Sequence, residues 1–277
     1  MKTVGAADLS GLVFASKDSH KGQNGRLLII GGSHLFHAAS IWALEVASRI
    51  VDLVHYSSVP ENNELVKREF KDGIVVSRDD IDAYIEEDDV ILIGPGMMRN
   101  EETKTLTDRV LKAYPKKQWV IDAGALQTMD ISLIPPGAIL TPHHQEFALL
   151  CQKAGVGDMS DADKVTWFAK QHTCIVLLKG HIDIACSGGV CDERVCKPGE
   201  SYVIEGGNEG MTKGGTGDVL AGLIAALATK NDPMLATIAG SFINKKAGDE
   251  LYTTVGPFFN ASDLAAQIPK TMKTLLL

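Results

Sequence analysis

Short apolar runs, each closed by a polar or glycine-bearing turn, alternate with longer amphipathic stretches along almost the whole chain. The runs at Arg26–Ile30 (RLLII), Leu53–Ser58 (LVHYSS), Val90–Gly94 (VILIG), Trp119–Gly124 (WVIDAG), Ala138–Leu140 and Thr173–Leu178 (TCIVLL) read as buried strands, with a weak strand at Val75-Val76. Near-continuous hydrophobicity, rather than strict alternation, is the mark of strands covered on both faces. Between them the spacing predicts helices at about 38–51, near Glu61, and over 81–86, 103–114, up to Cys151, and 160–172. Further helices follow at 218–230, 234–252 and from Ala261 onward. Ile182 to Ile204 reads as a hairpin-like region broken at Ser187-Gly188-Gly189. This order predicts an α/β fold, a mostly parallel central sheet with helices on both faces. No linker, low-complexity segment or internal repeat interrupts it, so residues 1–277 are expected to form a single domain.

One stretch breaks the rhythm. From Gly206 to Lys230 the chain reads GGNEGMTKGGTGDVLAGLIAALATK, glycine-dense in its first half. Its second half is amphipathic, with Leu220, Leu223, Ile224 and Leu227 at helical spacing. Glycines let a chain adopt positive φ and bring backbone N–H groups close to a ligand. A helix starting at about Asp218 would add its free N–H groups and dipole, which favour an anion. Gly214, Gly215, Thr216 and Gly217 thus form a candidate phosphate loop, with positive φ expected at Gly217 and a carboxylate, Asp218, at its lip. Asp218 could cap the helix, act as a base, or do both.

Polar residues also gather just after the apolar strands: Ser33, Gly96, Asp122, His143 and Lys179. In open α/β sheets ligands bind at that edge. The Walker-type GxxxxGK[ST], a GxGxxG after the first strand, HExxH and GxSxG are all absent, which argues against P-loop, Rossmann, zincin and α/β-hydrolase chemistry.

Charge narrows the partners. With 27 basic and 35 acidic residues the formal charge is −8, which disfavours nucleic acid or an anionic membrane surface. A small anionic ligand held by local N–H groups and lysines remains compatible. The N-terminal MKTVGAADLSGLVFASKDS lacks an apolar core of signal-peptide length, and the longest apolar run, Leu220 to Ala228, is too short to span a bilayer. Five cysteines, an odd number, read as cytoplasmic thiols; Cys186, Cys191 and Cys196 lack the close pairing of a zinc site.

GGS (31–33), GPG (94–96), IDAGAL (121–126), TPHxxE (141–146), LKG (178–180) and N-x-G-M followed by GGTGD (208–218) occur in order along most of the chain. Together they resemble the stand-alone NAD(P)H-hydrate dehydratases of the ribokinase-like superfamily. The resemblance implies a ribokinase-like fold and a repair reaction that uses ADP or ATP with Mg²⁺ to restore NADH or NADPH from the (6S)-hydrated forms. It implies substrate contacts at Ala39, Gly96, His143 and Asp218, and nucleotide contacts at Lys179, Gly180, His181, Ile182, Asp183 and the Gly214–Gly217 loop. Asp218 would be the catalytic base, with no dedicated protein ligand for the metal. A cytoplasmic homo-oligomer, tetramer or octamer, is implied as well.

The chain departs from the family pattern in places. Phe36-His37-Ala38-Ala39-Ser40 replaces Tyr-x-Gly-Ala-Pro, Met97 and Met98 follow GPG, and His144-Gln145 replace Pro-Gly. Lys213 stands where a small residue is usual, and Asp183 replaces the usual Thr. A carboxylate at 183 is expected either to face the nucleotide or to turn to solvent from the strand edge. Two other functions fit the same loop: a small-alcohol kinase, which would leave a stable phosphate ester, and a nucleotide-binding protein without turnover.

Overall fold

The computed structural model describes residues 1–191, 196–197 and 199–277, with the side chains of 190–198 outside the description. The reading of Cys191 and Cys196 as free thiols falls on side chains outside the description; Cys151, Cys174 and Cys186 are free and buried.

The strands are β1 (Lys2–Thr3), β2 (Arg26–Ile30), β3 (Leu53–Ser57), β4 (Ile74–Val75), β5 (Val90–Ile93), β6 (Gln118–Ile121) and β7 (Ile139–Leu140). They continue with β8 (Ile175–Leu178), β9 (Asp183–Ser187), β10 (Val190–Cys191), β11 (Cys196–Lys197) and β12 (Ser201–Ile204). Ten of these form one sheet in the order β1-β12-β9-β8-β7-β6-β5-β2-β3-β4, while β10 and β11 pair separately. Only β9 runs against the rest: it pairs antiparallel with both β8 and β12, and the other pairings in the sheet are parallel.

Among the described residues ten α-helices cover the sheet: α1 (His37–Ala47), α2 (Pro60–Glu69), α3 (Ile81–Glu87), α4 (Glu101–Ala113), α5 (Ala123–Thr128), α6 (His144–Lys153), α7 (Asp161–His172), α8 (Thr216–Ala228), α9 (Pro233–Val255) and α10 (Ala261–Leu276). Strand residues alternate between two cores. Leu27 and Ile29 face the side of α1, α8, α9 and α10, whereas Leu28 and Ile30 face that of α3 to α7. No helix among the described residues is long and apolar enough to cross a membrane.

Two expectations about α8 are corrected. It begins at Thr216, two residues before Asp218, and its N-cap is Gly215 at φ 98°. Asp218 is therefore the third helical residue and not the cap. Nor is the helix amphipathic: every residue from Val219 to Ala228 is buried. The polar face expected from sequence is filled by glycine and alanine, which let other helices close in. A Cβ on Gly222 would come 2.5 Å from the Ala43 carbonyl of α1, and one on Gly240 of α9 would meet Ile224 at 2.6 Å. The fold thus clamps α8 on several sides and aims its N-terminus at the C-terminal edge of the sheet.

Candidate active site

Three neighbouring strand ends supply the floor. Asp122 follows β6, Thr141 and His143 follow β7, and Lys179 follows β8. A parallel bridge between His143 and Lys179, with Lys179 N–H donating to Pro142 C=O at 2.9 Å, extends β7 and β8 side by side to this edge. The buried Asp122 carboxylate accepts from Thr141 Oγ1 at 2.9 Å and from Lys179 Nζ at 3.0 Å. The next residue, Ala123, holds φ 46°, a left-handed conformation that costs a non-glycine residue energy and that recurs at functional sites.

His143 caps α6. Its Nδ1 accepts from the N–H groups of Gln145 (3.1 Å) and Glu146 (3.2 Å), and Glu146 returns the bond by accepting His143 N–H at 2.9 Å. With Nδ1 committed as an acceptor, the ring proton of a neutral imidazole sits on Nε2, which can donate to a ligand. Glu146 is buried and accepts a further bond from Gln127 Nε2 at 2.9 Å.

The glycine loop and the first turn of α8 form one wall. Gly217 and Asp218 precede the first intrahelical bond, Val219 N–H to Gly215 C=O at 3.0 Å, so their amides belong to the unpaired first turn. Thr216 Oγ1 donates to Met211 C=O at 2.7 Å and to Lys213 C=O at 3.0 Å, closing the loop on itself.

The need for glycine is placed differently from the expectation. Positive φ occurs at Gly206, Gly207 and Gly215, and not at Gly217. A Cβ on Gly215 would also lie 2.4 Å from the Trp42 ring, whereas nothing lies within 4 Å of one on Gly214. Gly217 is small for another reason: a Cβ there would approach Lys179 Nζ at 3.3 Å. Gly215→Ala should therefore destabilise the protein by more than about 1 kcal/mol, the scale of a Cβ forced into the left-handed region. Gly214→Ala should stay within about 0.5 kcal/mol. Chemical denaturation of both variants checks this, and equal stabilities would show that Gly215 is not under strain.

A cleft of about 890 Å³ lies between floor and wall. His143, Lys179, Gly180, His181, Asp183, Gly214, Gly215, Thr216, Gly217 and Asp218 all line it. Ile182 does not; its side chain points outward and is 49% exposed. Ala39 and Gly96 do not line it either, but they pack on each other: a Cβ on Gly96 (φ 72°) would lie 3.0 Å from that of Ala39. Ala39 sits one turn before Trp42 on α1, whose ring lies against Gly215.

The expectation that Asp183 turns to solvent is corrected; it lines the cleft from a buried position. It is buried, and its carboxylate accepts from Gly180 N–H at 2.8 Å and Ser241 Oγ at 2.7 Å and pairs with Lys245 Nζ at 3.2 Å. As the first residue of the reversed strand β9, it shares a face with Ala185 toward α9, while Ile184 faces the other core. A charged α9 residue that sequence could not pair with it, Lys245, explains why the carboxylate is tolerated.

Electrostatics singles out Asp218. Burial, then the neighbouring carboxylate of Asp122 and that of Glu146, push its pKa up to about 7, against a partial lowering by Lys179. Burial alone would lower Lys179, yet Asp122, Glu146 and Asp218 outweigh it, and its ammonium titrates above the ordinary lysine value. One fixed cation thus stands among three acids, two of which are committed to structural hydrogen bonds. Asp218 is the one left available for proton transfer near neutrality. Among the described residues no group of three or more His, Cys, Asp or Glu is arranged to hold a metal ion.

A family model described as NAD(P)H-hydrate dehydratase matches residues 27–270. The chain belongs to this family. A bifunctional NAD(P)H-hydrate repair enzyme of Methanocaldococcus jannaschii is 36% identical over 280 residues, covering 98% of this chain and 52% of that protein. An ADP-dependent (S)-NAD(P)H-hydrate dehydratase of Xanthomonas campestris is 32% identical over 293 residues, covering 99% of this chain and 97% of that one. The chain spans about half the length of the first curated relatives it matches. The architecture is ribokinase-like. The Bacillus subtilis ADP/ATP-dependent NAD(P)H-hydrate dehydratase co-crystallised with ATP and Mg²⁺ superposes with a TM-score of 0.79 at 22% identity, covering 99% of this chain and 98% of that one.

Within this family's motifs, sequence reading set Asp122 at the ligand-binding edge but gave Glu146 no part. Asp122 was visible as a strand-end acid and Glu146 as the last letter of TPHxxE. Their common focus on Lys179 comes from the neighbouring ends of β6, β7 and β8 together with the capping box that sets Glu146 on α6.

Proposed function

We propose that the chain dehydrates (6S)-hydrated NADH and NADPH at the expense of ADP or ATP, restoring the reduced cofactors. The observation that carries this reading is Asp218, a carboxylate with a pKa of about 7 on the first turn of a helix whose glycine loop lines the same cleft. The names of relatives that match over 91% and 97% of their own length support the choice of substrate.

In the proposed reaction the Asp218 carboxylate takes the proton of the C6 hydroxyl as that oxygen attacks the terminal phosphoryl group of the nucleotide. The shortened nucleotide departs with the bridging oxygen's electrons. The amides of the Gly214–Gly217 loop face the charge that develops on the transferred oxygens, where most phosphoryl-transfer catalysis is exerted. Lys179, beside Gly217, adds a fixed positive charge. The C6 phosphate ester then leaves as inorganic phosphate, expelled by the lone pair of the ring nitrogen, and loss of a C5 proton regenerates the dihydronicotinamide. Mg²⁺, when bound with the nucleotide, would neutralise phosphate charge. Asp122 and Glu146 are engaged by Lys179, Thr141, His143 and Gln127, which suits a cation carried by phosphates and water better than one held in a carboxylate cage.

The test is incubation with hydrated NADH or NADPH plus ADP or ATP and Mg²⁺, following dihydronicotinamide absorbance and released phosphate together. A stable phosphate ester without cofactor regeneration would instead show a small-alcohol kinase. A base with a pKa near 7 must be ionised to work, so kcat/KM should fall as pH drops through about 7 and level off above it. A flat profile down to pH 5 would remove Asp218 from the role of base.

A further inference from the structure

Lys245 lies 8% exposed on α9 and takes part in none of the proposed chemistry. Its ammonium is nevertheless fully engaged. It donates to Gly180 C=O at 3.1 Å, His181 C=O at 3.0 Å and Gly206 C=O at 3.2 Å, and pairs with Asp183 at 3.2 Å. Gly180 and His181 belong to the turn between β8 and β9, and Gly206 to the chain leaving β12. Both segments line the same cleft as the glycine loop. Gly180 is held at both ends, its carbonyl by Lys245 and its N–H by Asp183. Asp183 is held in turn by Ser241, one turn earlier on the same helix. Lys245 therefore ties the 180–181 turn to Gly206 just beyond the Asp183–Ile204 pairing where the β9–β12 ladder ends, while Asp249, one turn further along α9, accepts from Gly207 N–H at 3.3 Å.

A buried ammonium is costly to desolvate and is retained only where its partners are complete. Here those partners are the backbone of two cleft loops, and the countercharge is the carboxylate that would otherwise confront a polyphosphate. We infer that Lys245, neutralising Asp183, is a positioning residue for the nucleotide half of the site. It sets the distance between the 180–182 turn and the 206–207 segment and cancels the Asp183 charge in that wall. This rests on the nucleotide-dependent reading above.

The experiment compares wild type, Lys245→Met and the neutral double variant Lys245→Met with Asp183→Asn, well below their unfolding temperatures. Dissociation constants for ADP and ATP are measured by calorimetry, and KM values for nucleotide and for hydrated NADH by turnover. Lys245→Met should weaken nucleotide binding by about tenfold or more, the scale of lost preorganisation plus an uncompensated buried carboxylate, while the KM for hydrated NADH stays within about twofold. The double variant buries no lone ion, so it keeps the comparison open should Lys245→Met fail to fold. It should recover part of the loss yet remain weaker than wild type for nucleotide alone. A folded double variant that binds both nucleotides as wild type does would overturn the inference and leave Lys245 a structural residue. Wild-type protein that binds neither nucleotide would overturn the nucleotide-dependent reading itself, a separate and recognisable outcome.

Discussion

Asp218→Asn is expected to lose about 10²–10⁴-fold in turnover, the usual cost of removing a general base, with nucleotide affinity preserved. The amide keeps the shape of the side chain and the first turn of α8, but it cannot take the hydroxyl proton. Near-wild-type kcat would end the proposed mechanism. A second readout separates chemistry from fold. In the unfolded chain an aspartate gives up its proton near the ordinary value of 3.8, whereas folded Asp218 holds it until about 7. Between those values the folded state binds the extra proton, so this residue's contribution to stability falls as pH rises through the window. Below it both states are protonated and the contribution is constant. Asn has no such penalty, so the variant's melting temperature should exceed that of wild type by a margin that grows from pH 4 to pH 8. A site that gains stability when its key acid is neutralised is one held in a state unfavourable to folding and useful to catalysis.

Lys179→Met carries the other large expected effect, on stability and turnover together. The ammonium is the cation between Asp122, Glu146 and Asp218, and Asp122 is buried at 2% exposure with its Oδ1 at 3.0 Å. Breaking a buried pair by removing one partner costs about 3–5 kcal/mol. The same loss removes the one influence from Lys179 that lowers Asp218, so the acid limb of any residual pH–rate profile should move upward from about 7. Denaturant unfolding and the pH profile test the two halves separately. A stable variant with an unmoved profile would mean that Lys179 does not set the protonation of Asp218.

The sequence showed most of the scaffold, because α/β alternation writes itself as apolar runs between amphipathic ones. The runs at Arg26–Ile30, Val90–Gly94 and Thr173–Leu178 lie on observed strands. The two-residue β1 was not legible: it is exposed, and its only ladder is to β12, about two hundred residues away. Helix α5, six residues after Asp122, was too short to show a period and read as a turn. At the site, glycine density pointed to the loop but could not say which glycine is strained. That depends on Trp42 lying beneath Gly215. That Asp183 turns inward and not to solvent was not legible, because its partners Ser241 and Lys245 stand 58 and 62 positions further along, across a helix packing that alternation within β9 cannot reveal.

The reversal of β9 has a consequence for how the cleft could change length. Leu178 pairs with Ile184, so only the five residues 179–183 separate the paired positions at this edge. In a parallel crossover a helix would absorb an inserted residue. A hairpin this short has no such slack, and a one-residue slip in β9 exchanges its two faces. The Asp183 position would then point into the core that now receives Ile184, and Lys245 would be left facing an aliphatic side chain. Widening this wall of the cleft is therefore a matter of exchanging side chains within a fixed loop, and not of lengthening it.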